Sequence, residues 1–122
     1  MSKKIFSQGE ELVVTVQIGK SENVSKSKKL TIGLAFHDID NTLIAGPNSI
    51  GEEFTSDTEF IIYSIPKIPF NYGKYYLTIA VYDEYVSKLY DLIDKEIVFS
   101  VATEQTHYGK IVLEDNWGVN KN

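Results

Sequence analysis

An all-β fold is predicted, an antiparallel two-sheet sandwich of about eight strands, and three observations predict it. Apolar and polar residues alternate in short runs spaced at roughly 8–12 residues, the pattern of many short strands. No helical period is sustained for three turns. Eight tyrosines and six phenylalanines stand among 122 residues, and flat aromatic side chains suit pleated surfaces. Two sheets packed face to face let every such strand bury one side.

Glu11 to Ile18 alternates, with Leu12, Val14, Val16 and Ile18 on one side and Val13, Thr15 and Gln17 on the other. That is a half-buried strand. Gly19 to Lys29, rich in serine and lysine, reads as a loop. Leu30 to His37 alternates again, with Leu30, Ile32, Leu34 and Phe36 inward and Thr31, Gly33, Ala35 and His37 outward. Asp38-Ile39-Asp40-Asn41 is a turn, in which short polar side chains bond nearby backbone. Thr42 to Ala45 is a short strand, broken by Gly46-Pro47-Asn48-Ser49, and a polar, acidic loop runs on through Asp57. Thr58 to Ile65 is a strand with Ile61, Tyr63 and Ile65 toward the core.

Pro66 and Pro69 bound a crossover, because proline has no ladder donor. Lys74 to Tyr82 follows, with Tyr75, Leu77, Ile79 and Val81 on one face. Tyr75, opening that strand after Gly73-Lys74, resembles the tyrosine corner of immunoglobulin-like sandwiches. Tyr85 to Asp94 reads as a loop or as a short strand around Lys88–Tyr90. Glu96 to Val101 is a strand with Ile97, Phe99 and Val101 inward, and Lys110 to Leu113 is a last short strand. The chain end beyond Gly118 is expected to fray.

Residues 1–122 read as one domain, long enough for a core without staples. With 43% of residues apolar, a packed globule is expected and disorder is not. The absence of cysteine excludes disulfides and thiolate metal sites and fits a reducing compartment. A net charge of −5 argues against nucleic acid and anionic membrane as partners, since both need a basic footprint. No apolar run approaches the ~18 residues of a spanning helix. Met1-Ser2-Lys3-Lys4 is followed by no apolar stretch, so no signal peptide is expected.

The search for catalytic chemistry is mostly negative. Gly109-Lys110 lacks the upstream glycine and the hydroxyl residue of a phosphate-binding loop. His37 and His107 stand seventy positions apart in the sequence, without the spacing of a zinc site. A His37–Asp38–Asp40 cluster reads better as a charged turn at a strand end, so no metal or other cofactor is expected. The carboxylate pairs Asp83–Glu84 and Asp91–Asp94 could serve glycoside hydrolysis. Acidic residues at strand ends are more often solvated or capping, so no catalytic residue is assigned. Trp117 has three readings: stacking on a sugar, anchoring the last strand, or burial in a partner subunit.

One outward surface carries the positive signal. If the strands at Leu30–His37 and Lys74–Tyr82 pair, Thr31, Gly33, Ala35 and His37 neighbour Thr78, Ala80 and Tyr82. Small residues leave a concave floor, with His37 and Tyr82 expected at one end and Tyr76 at the other. Sugars present an apolar ring face and many hydroxyls, which aromatics beside donors and acceptors match. The rival reading is a face covered by another sheet, subunit or domain. Candidate groove residues are His37, Tyr76, Thr78, Tyr82 and Tyr90, with Asp83 and Asp91 as hydroxyl acceptors.

The order of motifs resembles the C-terminal domain of Wzt, the ATPase component of transporters that export O-antigen polysaccharide. The landmarks are Phe6 with Gly9-Glu10, Leu12–Ile18, Ile32-Gly33-Leu34-Ala35-Phe36-His37, Gly46-Pro47-Asn48-Ser49 and Ile65-Pro66-Lys67-Ile68-Pro69. Gly73 to Val81, Tyr90-Asp91, Phe99-Ser100-Val101, Gly109 to Leu113 and Trp117 complete the series. Pro47 and the strand ending Tyr82-Asp83 depart from the family pattern, so individual glycan contacts do not carry over.

The resemblance implies an immunoglobulin-like sandwich that binds the exported glycan, often at its modified non-reducing end, and couples chain completion to export. It implies a cytoplasmic location at the inner face of the plasma membrane, through the transporter's ATPase domain and membrane subunit. It also implies a homodimer, with exchange of the last strand as one arrangement. Non-catalytic carbohydrate binding is therefore the leading expectation. A structural immunoglobulin-like module is the alternative, and a small glycosidase using Asp83 or Asp91 is the third reading.

Overall fold

The structure, a computed structural model, describes residues 4–19, 28–102 and 108–120. His107 and most of the serine- and lysine-rich loop lie outside the described residues. Seven strands are present among them: β1 (Ile5–Ser7), β2 (Leu12–Gln17), β3 (Leu30–Asp38), β4 (Leu43–Ala45), β5 (Phe60–Ile65), β6 (Gly73–Asp83) and β7 (Leu89–Ala102). A five-stranded sheet runs β1-β7-β6-β3-β4 and a two-stranded sheet pairs β2 with β5. All pairings are antiparallel except β1 with β7, which is parallel. No helix of the described residues is long and apolar enough to cross a membrane.

Alternation decides which side each strand buries. Leu12, Val14 and Val16 of β2 are buried while Val13, Thr15 and Gln17 are exposed, the two-residue period of a half-covered strand. Leu30, Ile32, Leu34 and Phe36 of β3 meet Tyr75, Leu77 and Ile79 of β6 in the same core. At one end of the sandwich Phe6, Phe36, Phe70, Tyr75 and Phe99 interlock, with ring centroids 5.1–6.4 Å apart. Edge-on and offset contacts of this kind suit the ring quadrupoles. Gly73 enters β6 at φ 151°, a conformation that side chains rarely adopt. Two residues on, the Tyr75 hydroxyl donates to the Asn71 carbonyl at 2.6 Å, the backward bond of a tyrosine corner.

Three expectations are corrected. Lys110–Leu113 is not a strand: Ile111 makes one isolated bridge with Phe70. Its backbone is instead clamped by the crossover, the Asn71 N–H donating to Lys110 O at 2.9 Å and the Asn71 amide to Gly109 O at 2.8 Å. The crossover contains Pro69, which has no N–H to extend a ladder. The uncertain stretch around Lys88–Tyr90 and the strand from Glu96 are one strand of 14 residues. Register shifts opposite Leu77/Ile79 and Val81/Tyr82 interrupt its alternation, so it reads as two pieces. β1 went unread because three residues are too few to show a period.

Candidate functional site

β3 and β6 lie side by side in register, with Thr31 opposite Tyr82, Gly33 opposite Ala80, Ala35 opposite Thr78 and His37 opposite Tyr76. Their outward face is therefore a ladder of four rungs. β7 adds a third column, with Leu89 beside Tyr82, Leu92 beside Ala80 and Val98 beside Tyr76. The antiparallel register corrects one expectation. His37 stands with Tyr76 at one end, and Tyr82 closes the other, because antiparallel strands reverse order across the pair.

The middle rungs carry the small side chains Gly33, Ala35, Thr78 and Ala80, so the floor is low there. Tyr82 leans over part of it: a methyl placed on Gly33 would lie 3.5 Å from the tyrosine Cε2. Thr31 and Ala80 are accordingly only 4% and 6% exposed. The part of the floor away from Tyr82 holds Ala35 and Thr78, both half-buried. Thr78 donates its hydroxyl to Asp94 Oδ1 at 3.1 Å and accepts from the Lys95 N–H at 3.2 Å. Lys95, at φ 58°, is the kink in β7 that sets Asp94 beside the floor. Asn48 bridges to Gly33 on the β3 side.

His37 is half-buried, and its Nδ1 is buried with no hydrogen-bond partner among the described residues. Tyr76 is half-buried beside it. Tyr90 lies exposed at the far end, with the Lys28 and Lys88 ammoniums 5.9 and 5.7 Å from its ring centroid. Cations over a tyrosine face hold the ring in place.

The two proposed acceptors sit elsewhere. Asp83 is opposite Leu30 and Asp91 opposite Val81, so by alternation both fall on the core-side face of the sheet, beyond the packed interior. Asp83 ties its turn, accepting from the Ser87 hydroxyl at 2.6 Å and from the Ser87 and Lys88 N–H groups at 2.7 and 3.1 Å. The Ser87 hydroxyl holds its carboxyl below the usual carboxylate range. Asp91 accepts from the next residue's own N–H at 2.8 Å. Neither belongs to the tyrosine-edged floor.

Asp38 is likewise a structural acid. It receives the Asp40 and Thr42 N–H groups at 3.0 and 2.9 Å and pairs with the Lys110 ammonium. Among the described residues no three His, Cys, Asp or Glu side chains converge as metal ligands. Trp117 is 99% exposed, so it anchors nothing within its own chain. Leu89, Leu92 and Asn48 are face residues that sequence reasoning missed, and Asp94 was weighed only as half of a carboxylate pair and not as part of this face. Asp94 and Leu92 are displaced by the kinked register, and a bridge from a loop leaves no periodic signal.

Comparison with known proteins adds two findings. The family model for the Wzt C-terminal domain matches residues 1–112. A crystal structure of the C-terminal domain of Wzt superposes with a TM-score of 0.73 at 14% identity, covering 94% of this chain and 73% of that one. No curated protein sequence matches.

Proposed function

The chain belongs to the Wzt C-terminal domain family, and from that premise we propose that it binds the polysaccharide cargo of an O-antigen exporter without transforming it. The observation that carries the reading is the rung order on the outward face: small residues between a His37–Tyr76 end and a Tyr82 end. A saccharide ring laid on Ala35 and Thr78 would meet Tyr82 or Tyr76 with its apolar face. Its hydroxyls would meet Thr78, Asp94 and Asn48. The site is shallow, so an affinity of about 10–1000 μM is expected from one stacked ring and a few hydrogen bonds.

In this reading the domain sits at the cytoplasmic face of the inner membrane, tethered through the transporter's ATPase domain and membrane subunit. Holding the finished non-reducing end there couples chain completion to export. A homodimer would raise avidity where both faces engage one cargo. Asp83 and Asp91 support the turn and strand of the 83–91 hairpin and leave the binding to the face itself.

The rival is a protein partner lying on the same face, favoured by the aliphatic flank of Leu89 and Leu92. Titration calorimetry with polysaccharide of the producing cell separates the two. Binding by the native chain, weakened roughly 2–10-fold by Tyr82→Ala through a lost stacking contact, is the expected result. A native chain that takes up no saccharide at millimolar concentration would refute the glycan reading and leave the protein-partner one.

A further inference from the structure

The sandwich is open along one side, between the edges of its two sheets. Residues 47–49 extend the large sheet beside β3: the Leu34 N–H donates to Pro47 O and the Ser49 N–H to Ile32 O, each at 2.9 Å. Across from them stands β5, which among the described residues pairs only with β2. Its other edge keeps N–H and C=O groups without a ladder partner, and such an edge recruits an added strand unless it is blunted. Between the two edges lies a groove of about 430 Å³, within the roughly 300–1,000 Å³ range of binding clefts.

The groove is apolar along its walls and acidic at its rim. Val16, Ile32, Leu34, Phe54, Ile61 and Tyr63 wall it, and Ile62 and Glu52 stand beside them. Ile62 is 67% exposed, a large apolar side chain in water next to an open strand edge. Segment 52–59, which supplies Phe54 and runs into β5, holds Glu52, Glu53, Asp57 and Glu59 and no lysine or arginine. None of the ion pairs among the described residues uses these four carboxylates. The lysines that the ladder brings beside this segment turn elsewhere. Lys29 bridges to Thr55, yet its ammonium lies 3.9 Å from Glu84, and the Lys28 ammonium sits over the Tyr90 ring.

We propose that this groove takes an extended segment of another protein, apolar and basic by turns, laid along the free edge of β5. Alternation along the added strand sends one set of side chains between the sheets, where an aliphatic or aromatic residue meets Ile32, Leu34 and Ile61. Lysine or arginine in the other set pairs with the carboxylates of segment 52–59. The charge selects the occupant. An acidic partner, including a second copy with its own net charge of −5, would set carboxylate against carboxylate. An anionic lipid surface is repelled in the same way. Ile32 and Leu34 point away from the outward face of β3 and β6, so this surface is separate from the saccharide floor and does not depend on it.

The probe is a short synthetic peptide alternating leucine with lysine, fluorescently labelled, with leucine–glutamate and serine–lysine peptides as controls. Fluorescence anisotropy on the full chain is expected to show binding of the leucine–lysine peptide alone, weakened by added salt. Ile62→Lys and Glu52→Lys should each raise the dissociation constant about 10-fold. Glu114→Lys, the same charge change on the exposed tail, and Tyr82→Ala on the outward face should leave it unchanged. Circular dichroism confirms that each variant folds. Equal binding of the serine–lysine peptide, or equal weakening by Glu114→Lys, means charge attraction without a groove and overturns the proposal. Equal binding of the leucine–glutamate peptide overturns the basic occupant. Uptake of the apolar dye anilinonaphthalene sulfonate, lost in Ile62→Lys, with no uptake of any peptide makes the groove a small-molecule pocket and overturns the proposal as well.

Discussion

The two ends of the β6–β7 hairpin are both rich in apolar side chains and have opposite fates. At the Gly73 end, Tyr75 and Phe99 are 4% and 1% exposed beneath an aromatic cluster. At the turn end, Leu89, Leu92 and Ile93 are 47%, 47% and 39% exposed. The sequence pattern is equally apolar in both. The difference is what lies across: the crossover with Ile68 and Phe70, together with β1, covers the first end. At the second end Leu89 and Leu92 stand on the outward face and only Ile93 on the core face, and no element among the described residues covers them fully. Apolar periodicity states a capacity for burial, and neighbours decide whether it is used.

The largest expected effect breaks the closed end. Phe99→Ala removes a ring shared by Phe6, Phe36, Phe70 and Tyr75. It should cost about 3–5 kcal/mol in urea unfolding. A loss below about 1 kcal/mol would mean that the two ends do not differ in packing. Tyr75→Phe keeps the ring and removes only the hydroxyl bonded to Asn71. It should cost about 1–2 kcal/mol, and a neutral result would show the corner bond to be dispensable.

Acidification sharpens the comparison next. The Lys110 ammonium, more than any other partner, holds the Asp38 carboxyl below its ordinary value of 3.8. The unfolded chain takes up this proton first, near 3.8, while the folded chain keeps the carboxylate. The contribution is therefore complete above that value and is lost as pH falls through the lower folded one. Asp38→Asn should destabilise at neutral pH and flatten the acid limb of the unfolding curve. An unchanged limb would show that the ion pair contributes nothing. Gly33→Ala is the mildest change, since the new methyl would sit in ordinary contact with the Tyr82 ring. Stability should move by no more than about 0.5 kcal/mol, while saccharide binding falls as the floor rises.

Much of this was legible in the residues. Leu12–Gln17 alternates cleanly because it has one wet and one dry side, and Leu30–Asp38 alternates large with small side chains although no residue of it is fully exposed. The tyrosine corner was visible in Gly73-Lys74-Tyr75. That the strands at Leu30–His37 and Lys74–Tyr82 lie side by side was anticipated, whereas their direction and the rungs Gly33–Ala80 and Ala35–Thr78 were not. Asp83 and Asp91 misled because a carboxylate looks the same in sequence whether it faces a ligand or holds a turn. Asp94 was reachable only through the kink at Lys95, which no local pattern announces.

Composition and period determined by themselves an all-β sandwich and its core faces, because those follow from near-neighbour sterics and the burial of alternate side chains. Tertiary structure alone decided that β7 is one kinked strand, unpaired along one edge from Leu89 to Phe99 among the described residues, and that Tyr82 roofs Gly33. It also decided that Lys110 closes on Asp38 across the chain. Each of these depends on which strands meet and in what register, a long-range choice that no short window of residues contains.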